Sequence, residues 1–533
     1  MSKHPIAVAG LAVVSFCLTL SIEPLWVSND IAHYLSTAEN ILNGQGISSS
    51  VLYYDIQHSF GQIPAPNTIW PPGFSIGVLL LGLTPLSLLQ SAMFLNYFFF
   101  FVIAFTVFAL GREVGASKVA SLIAGGVWLF LSEAWNITRM GIASIPFIAL
   151  SLLAVYFLLK TEAAQSRKRE VQSALIAAVF LSLAFLTAYF GLFLIISTFA
   201  YFAWRVGRSF DADYVRKVSY IYVIPAFVVM VLFARNSILV GDFSSRPLGN
   251  APHGLFPVLE SAWYAFSKLL GISRSGIVNG EITEIAPLLG LIILVMLYLR
   301  QRLRNGPAIA RIGPAAVILF YVSFATVALV SLGLIRNTGY VSPRYFLYLI
   351  PFVLVICALA FSDCAKKRTG SAWKAIAIVA LSGILVGQVS RTVNEYHGGM
   401  RPVHARIENA LRERSDGFQP RRYLASANER PILAGGAQAL WIALRQPIIG
   451  TAQARFSTTV WTEQNVRTLV ERFNVHSITV FPELIDPAGT ANNNQPFFMS
   501  IAAGYRPDWV TVVYSDSSLV ILELQEGYVE SSS

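Results

Sequence analysis

Asn96-Tyr97-Phe98-Phe99-Phe100-Phe101-Val102-Ile103-Ala104-Phe105-Thr106-Val107-Phe108-Ala109-Leu110 contains no charged side chain. As a helix it is apolar on every face, and such a helix belongs inside a large core or across a bilayer. Outward from it, charge returns at Gly111-Arg112-Glu113, and a second charge-free run appears at Leu288–Leu299. The whole chain repeats this alternation. Its 533 residues are 55% apolar and only 13% charged, against about 25% charged in ordinary soluble proteins. Charge confined to short patches between apolar runs is how a chain reads when its solvent alternates between lipid and water.

With about 20 apolar residues per crossing, eleven spans are expected, near 5–22, 91–110, 118–132, 143–160, 174–188, 190–204, 219–234, 286–299, 314–334, 344–362 and 375–390. Pro5–Ile22 lacks a small-residue cleavage site and reads as a retained first span, not a signal peptide. The net charge of +10 gathers in four clusters: Arg167, Lys168 and Arg169; Arg205, Arg208, Arg216 and Lys217; Arg300, Arg302, Arg304 and Arg311; Lys366, Lys367, Arg368 and Lys374. With the N-terminus inside, all four fall on the cytoplasmic side, while Glu23–Pro72, with no Lys or Arg, falls outside. Basic residues divided among loops in this way do not make a nucleic-acid surface. Residues 73–90 are apolar but interrupted by Gly77, Gly82 and Pro85, and read as an interfacial or re-entrant helix. Cys17, Cys357 and Cys364 offer neither a disulfide framework nor metal-ligand spacing.

An odd number of spans leaves the tail outside. Its character changes near Arg401. Pro402–Arg414, Thr462–Phe473 and Gln495–Ala503 have helical patterns, and Arg422–Ala425, His476–Phe481, Trp509–Tyr514 and Ser518–Leu524 have β-type patterns. The expectation is a transmembrane domain over 1–395, with outer loops 23–90 and 235–285, and a small extracytoplasmic α/β domain over 396–533.

Candidate chemistry concentrates in the first outer loop. It reads Ser28-Asn29-Asp30-Ile31-Ala32-His33-Tyr34, with glycines at 44 and 46. Asp30 is read either as a plain helix cap or as a carboxylate able to take a proton from a hydroxyl. Glu23, Glu39 and Asp55 have no basic partner within the loop. The expected acidic vestibule includes His33, Tyr34, Asp55 and His58, with Glu133 and Arg139 in the next outer loop. Trp70-Pro71-Pro72-Gly73-Phe74 reads as an interface anchor. Arg235, Arg246, His253, Lys268 and Arg274 could bind an anionic headgroup, or form a solvated loop balanced by Asp242, Glu260, Glu281 and Glu284. No tight Asp-x-Asp element occurs in the first loop, so no metal or other cofactor is expected, although a divalent ion is compatible with the chemistry.

An acid and a tyrosine a few residues apart after the first span, the Gly-rich end of that helix and the Pro-Pro element come in a particular order. With Gly111-Arg112-Glu113 and Ser342-Pro343-Arg344-Tyr345, this order resembles the GT-C superfamily of membrane glycosyltransferases, in particular the aminoarabinose-transferase and protein O-mannosyltransferase group. The resemblance covers roughly residues 5–390. It implies an inverting transfer of sugar from a polyprenyl-phosphate donor to a lipid, glycan or protein acceptor, in a bacterial inner membrane. Asp30 matches the family's catalytic acid and Arg344 the arginine that would hold the lipid phosphate, with Arg336 and Arg274 in reserve. Two positions depart from the pattern. Ile145 stands where relatives have a second acid, and Ala188 stands where they have an arginine. A non-catalytic scaffold of the same fold, and a lipid-linked sugar transporter or flippase, are the alternative readings.

Overall fold

The computed structural model describes residues 29–209, 211–243, 343–366, 403–426, 430–435, 437–451, 457, 459–485 and 494–525. The expected spans at 5–22, 286–299, 314–334 and 375–390 lie outside the described residues, as do Arg274, Arg336 and most of the 235–285 loop. The chain divides into two compact units. One contains 93–232 and 253–399, the other 26–92, 233–252 and 400–533.

In the first unit the charge-free runs are long helices. Four described helices are long and apolar enough to cross a membrane: α4 (Leu88–Glu113), α7 (Ser144–Glu162), α8 (Arg167–Thr187) and α10 (Ala212–Val240). Each extends beyond its apolar stretch, because a helix keeps its backbone bonds into the polar interface where composition no longer marks it. α9 (Gly191–Ser209) and α12 (Ile350–Lys366) are shorter apolar helices. The span expected over 118–132 is broken. α5 (Lys118–Leu129) ends, and α6 (Ser132–Arg139) resumes at an angle of 53°. α7 and α8 form a tightly packed pair, and α5 lies along α12. Close approach of α5 to α4 depends on Gly125, where an added Cβ would come within 2.7 Å of the Ala104 carbonyl oxygen. Trp128 fastens the same crossing by donating its Nε1–H to the Phe100 carbonyl at 3.0 Å. Val223, Phe227, Met230 and Val231 of α10 are exposed, as expected of a face turned to lipid. The chain is an integral membrane protein. Its basic residues near 160–217 are partly paired: Lys217 lies 3.7 Å from Glu162 and 3.3 Å from Glu170, and Lys160 pairs with Glu113.

The second unit is α/β. It holds α1 (Asn29–Leu42), β1 (Ser48–Ser49), β2 (Val51–Leu52), α2 (Asp55–Ser59), β3 (Ala65–Pro66) and α3 (Gly73–Gly82) from the first loop. From the tail come α13 (Val403–Ala410), α14 (Pro420–Ala425), β4 (Ile432–Ala434), α15 (Ala437–Leu444), β5 (Ile448–Gly450), α16 (Glu463–Phe473), β6 (Ser477–Val480), α17 (Pro496–Ala502), β7 (Val510–Ser515) and β8 (Val520–Leu524). The strand expected at Arg422–Ala425 is helix α14. Pro420 at its first turn has the backbone angle a helix start requires. The main sheet runs β2-β5-β4-β6-β8-β7, with the first four strands parallel and β8 antiparallel to both its neighbours, β6 and β7. Its first strand therefore belongs to the loop. Val51 sits opposite Ile448 and Leu52 opposite Ile449. Division of the chain at 395 does not contain this pairing; loop and tail share one apolar core, with Leu52, Leu433, Ile449, Ile478, Val470 and Phe498 all buried in it. α16 is locally well specified. Thr462 caps its start by accepting from the Asn465 N–H, and Asn474 ends it in the left-handed conformation.

Candidate functional site

Asp30 lies in the first turn of α1, half-buried. A carboxylate there is favoured by the positive end of the helix dipole. The helix stops at Leu42 because Gly44 and Gly46 adopt positive φ, which costs glycine little. Between these ends α1 is almost wholly buried, packed against α3 and α15. Ile31, Leu35 and Ala38 form one apolar stripe, while His33, Ser36, Thr37 and Asn40 bury polar groups. A helix gripped on several faces holds its first-turn carboxylate in a fixed place.

Trp70 is the hub beside it. The His33 ring stacks on the indole at 4.1 Å between centroids, and Tyr34 and Tyr54 meet it at 6.3 and 5.5 Å. Tyr34 also meets Phe74 edge-on at 5.0 Å. The anchor expected at Trp70–Phe74 is thus packed into the loop's own aromatic cluster. Burial pushes the His33 imidazole down to about 4, although the Asp30 carboxylate and the approaching Val51 backbone work the other way. At neutral pH His33 is uncharged. Its place is that of a stacked ring, not of a cation for phosphate.

The remaining vestibule residues of the loop face the tail. Asp55 accepts from the Ser457 hydroxyl at 2.8 Å on both oxygens and from the Thr459 hydroxyl at 3.2 Å. His58 is buried edge-on against Trp461 at 5.4 Å, and burial pushes it to about 4 against the Asp55 charge. Both residues join the two parts of the unit. Glu39, without a base in its own loop, lies in the field of Arg445. Burial pushes its carboxyl up and the arginine partly offsets this. The acids find their partners about 400 residues away, which no reading of the loop alone reveals. Arg235, read as a possible headgroup ligand, donates to the Asn67 and Ile47 carbonyls at 3.1 and 3.0 Å.

In the membrane unit, Glu133 is buried in the first turn of α6 and Arg139 is half-buried in its last turn. α11 (Pro343–Leu347), which carries the half-buried Arg344, packs against α6. The acid and the arginine are therefore borne by helices in contact. Ile145 is fully buried in the first turn of α7, and Thr187 turns its hydroxyl back to the Leu183 carbonyl at 2.7 Å. Among the described residues no group of three or more His, Cys, Asp or Glu could hold a metal ion.

Residues 90–241 match the family model described as dolichyl-phosphate-mannose-protein mannosyltransferase. A search of the curated proteins finds no match. Solved structures give likeness of fold over nearly the whole chain. ArnT from Cupriavidus metallidurans, bound to undecaprenyl phosphate, aligns with a TM-score of 0.57 at 11% identity, covering 97% of this chain and 97% of its own. The Archaeoglobus fulgidus oligosaccharyltransferase, tethered to an acceptor peptide, gives 0.58 at 12% identity, covering 98% of this chain and 74% of its own. The mycobacterial arabinofuranosyltransferase AftD gives 0.50 at 14%, covering 98% of this chain and 42% of its own.

Proposed function

We propose that this chain, whose fold is that of the GT-C membrane glycosyltransferases, moves a sugar from a polyprenyl-phosphate donor to an acceptor hydroxyl or amine at the outer face of the membrane. The observation that carries the reading is Asp30: a half-buried carboxylate at the start of a helix gripped by α3 and α15, on a fold shared with transferases along its length. In this reading Asp30 takes the proton as the acceptor oxygen or nitrogen attacks the anomeric carbon. The bond from that carbon to the phosphate oxygen breaks, and its electron pair leaves with the phosphate. Attack opposite the departing group inverts the anomeric centre. A polyprenyl phosphate is a good leaving group once its growing charge is met, so cation placement matters more than a second acid. Arg344 supplies that charge through a guanidinium fork suited to phosphate. Glu133, buried on the helix that α11 packs against, takes the place of the acid missing at Ile145.

Loop and tail share a sheet, so they lie on one side of the membrane, and an even number of crossings separates them. With the Lys- and Arg-free loop Glu23–Pro72 read as outside, that pairing supports an outer tail. The test is release of free undecaprenyl phosphate from a panel of undecaprenyl-phosphate sugars by the purified protein, in the presence of a membrane extract that supplies lipid, glycan and protein acceptors. Release with transfer is expected for at least one sugar, and none from the full panel overturns the reading. One observation favours a second reading, a non-catalytic scaffold: Ile145 is sealed in the packed core, so no acid acts from that position. In that case donor would bind without being consumed.

A further inference from the structure

Asn67 uses every polar group it has. Its N–H donates to the Ile47 carbonyl at 3.0 Å, and its side-chain amide donates to the Thr37 hydroxyl at 2.8 Å. Its side-chain oxygen accepts from the Trp70 backbone N–H at 3.3 Å, and its carbonyl accepts from Arg235 at 3.1 Å. Asn67 and Thr37 are almost fully buried. The same guanidinium donates to the Ile47 carbonyl at 3.0 Å and to the Asn236 side chain at 3.0 Å. It thereby closes the foot of the short β1–β3 ladder, in which Ser48 faces Pro66. Thr37 is seven residues after Asp30 on α1, and a spacing of seven returns to the same helix face. Trp70 carries the stacked His33 ring of the same helix. Whatever fixes Asn67 therefore fixes both the rotation of α1 and the aromatic hub against it.

We propose that Arg235 is a positioning residue: its guanidinium clamps Ile47 and Asn67, and through Asn67 sets the place of Asp30. This rests on the reading of Asp30 as base, but the clamp itself does not. Two of the guanidinium's five donors go to Ile47 and Asn67 and a third to Asn236, so most of what Arg235 can offer a phosphate is already taken up within the protein. A small displacement of a reacting group lowers turnover steeply, whereas donor binding is untouched.

The experiment has two arms, on the full chain in detergent or nanodiscs. The first is amide hydrogen exchange by mass spectrometry for Arg235→Ala, Arg235→Lys and Asn67→Ala. Faster exchange over residues 45–70 in the alanine variants, with Ser477–Val480 unchanged and the lysine variant in between, is expected. Unchanged exchange over 45–70, or equal acceleration everywhere, overturns the clamp. This arm reads the clamp even if no transferase activity is found. The second arm is turnover per site that binds undecaprenyl phosphate, which removes any misfolded fraction. Both alanine variants should lose about tenfold to a hundredfold in kcat with donor KM unchanged, and the double variant should lose little more than either single one. A raised donor KM with unchanged kcat would make Arg235 a phosphate ligand instead. Wild-type kcat per site would leave it a purely structural contact. Either result overturns the proposal.

Discussion

His33 and His58 are both buried against tryptophan rings, and burial pushes each imidazole to about 4, where a free histidine titrates near about 6.5. The unfolded chain therefore takes up the proton first. The stability these residues contribute is fully present above pH about 6.5 and is lost as the pH falls toward about 4. At pH 5 the unfolded imidazole is almost fully protonated and the folded one only about a tenth. The linkage amounts to about 2 kcal/mol per histidine relative to pH 7, or about 4 kcal/mol for the pair. Glu39 opposes this, since burial pushes its carboxyl up and its protonation favours the folded state as the pH falls. Variants are thus needed to isolate the histidines. Phenylalanine keeps a ring against each tryptophan and cannot charge. Thermal unfolding in detergent at pH 7 and pH 5 should show an acid loss in the wild type that His33→Phe reduces by about 2 kcal/mol. The double His33→Phe, His58→Phe variant should reduce it by about 4 kcal/mol, leaving what Glu39 contributes in one direction and His476, also pushed down by burial, in the other. If the double variant loses as much as the wild type, the buried histidines do not carry the acid sensitivity.

Arg344→Ala is expected to lower turnover by about a hundredfold or more, matching loss of about 3 kcal/mol from a charge-assisted contact to phosphate. Arg344→Lys should restore only part of it, and a wild-type rate in the alanine variant removes Arg344 from the site. Asp55→Ala leaves the Ser457 and Thr459 hydroxyls without their acceptor, and should cost about 3 kcal/mol in denaturant unfolding of the sheet-bearing unit; an unchanged midpoint shows that the join does not need it. Reporter fusions at Lys367 and after Leu524 should report opposite compartments, and agreement between them breaks the expected topology.

Much of the membrane unit was legible because lipid imposes one simple rule: no unpaired charge inside a span. Leu88–Glu113, Ser144–Glu162, Arg167–Thr187 and Ala212–Val240 cover the expected apolar stretches to within one residue. The break after Leu129 was not legible, since Phe130 and Leu131 continue the apolar run through it. In the tail, α16 and β6 to β8 were readable from periodicity. β4 and β5 were missed because each has three fully buried residues, and a strand covered on both faces has no alternation to read. β2 was invisible as a sheet member for a different reason. Its partner Ile448–Ile449 is about 400 residues away, and sequence spacing carries no signal of pairing at that distance. The same distance hid the partners of Glu39 and Asp55. Asp30 itself could be picked out only by its place after the first span and by family resemblance, since a first-turn aspartate is common in helices of every kind.

In the proposed mechanism Asp30 takes the acceptor's proton. The direct measurement compares Asp30→Asn with the wild type, recording undecaprenyl-phosphate binding and sugar transfer on the same preparation. Asparagine is nearly isosteric, and α1 remains gripped on its other faces. Unchanged binding with transfer lost by about a thousandfold or more is expected. Transfer near the wild-type rate, or loss of binding and folding together, would contradict it and leave Asp30 a helix-end residue.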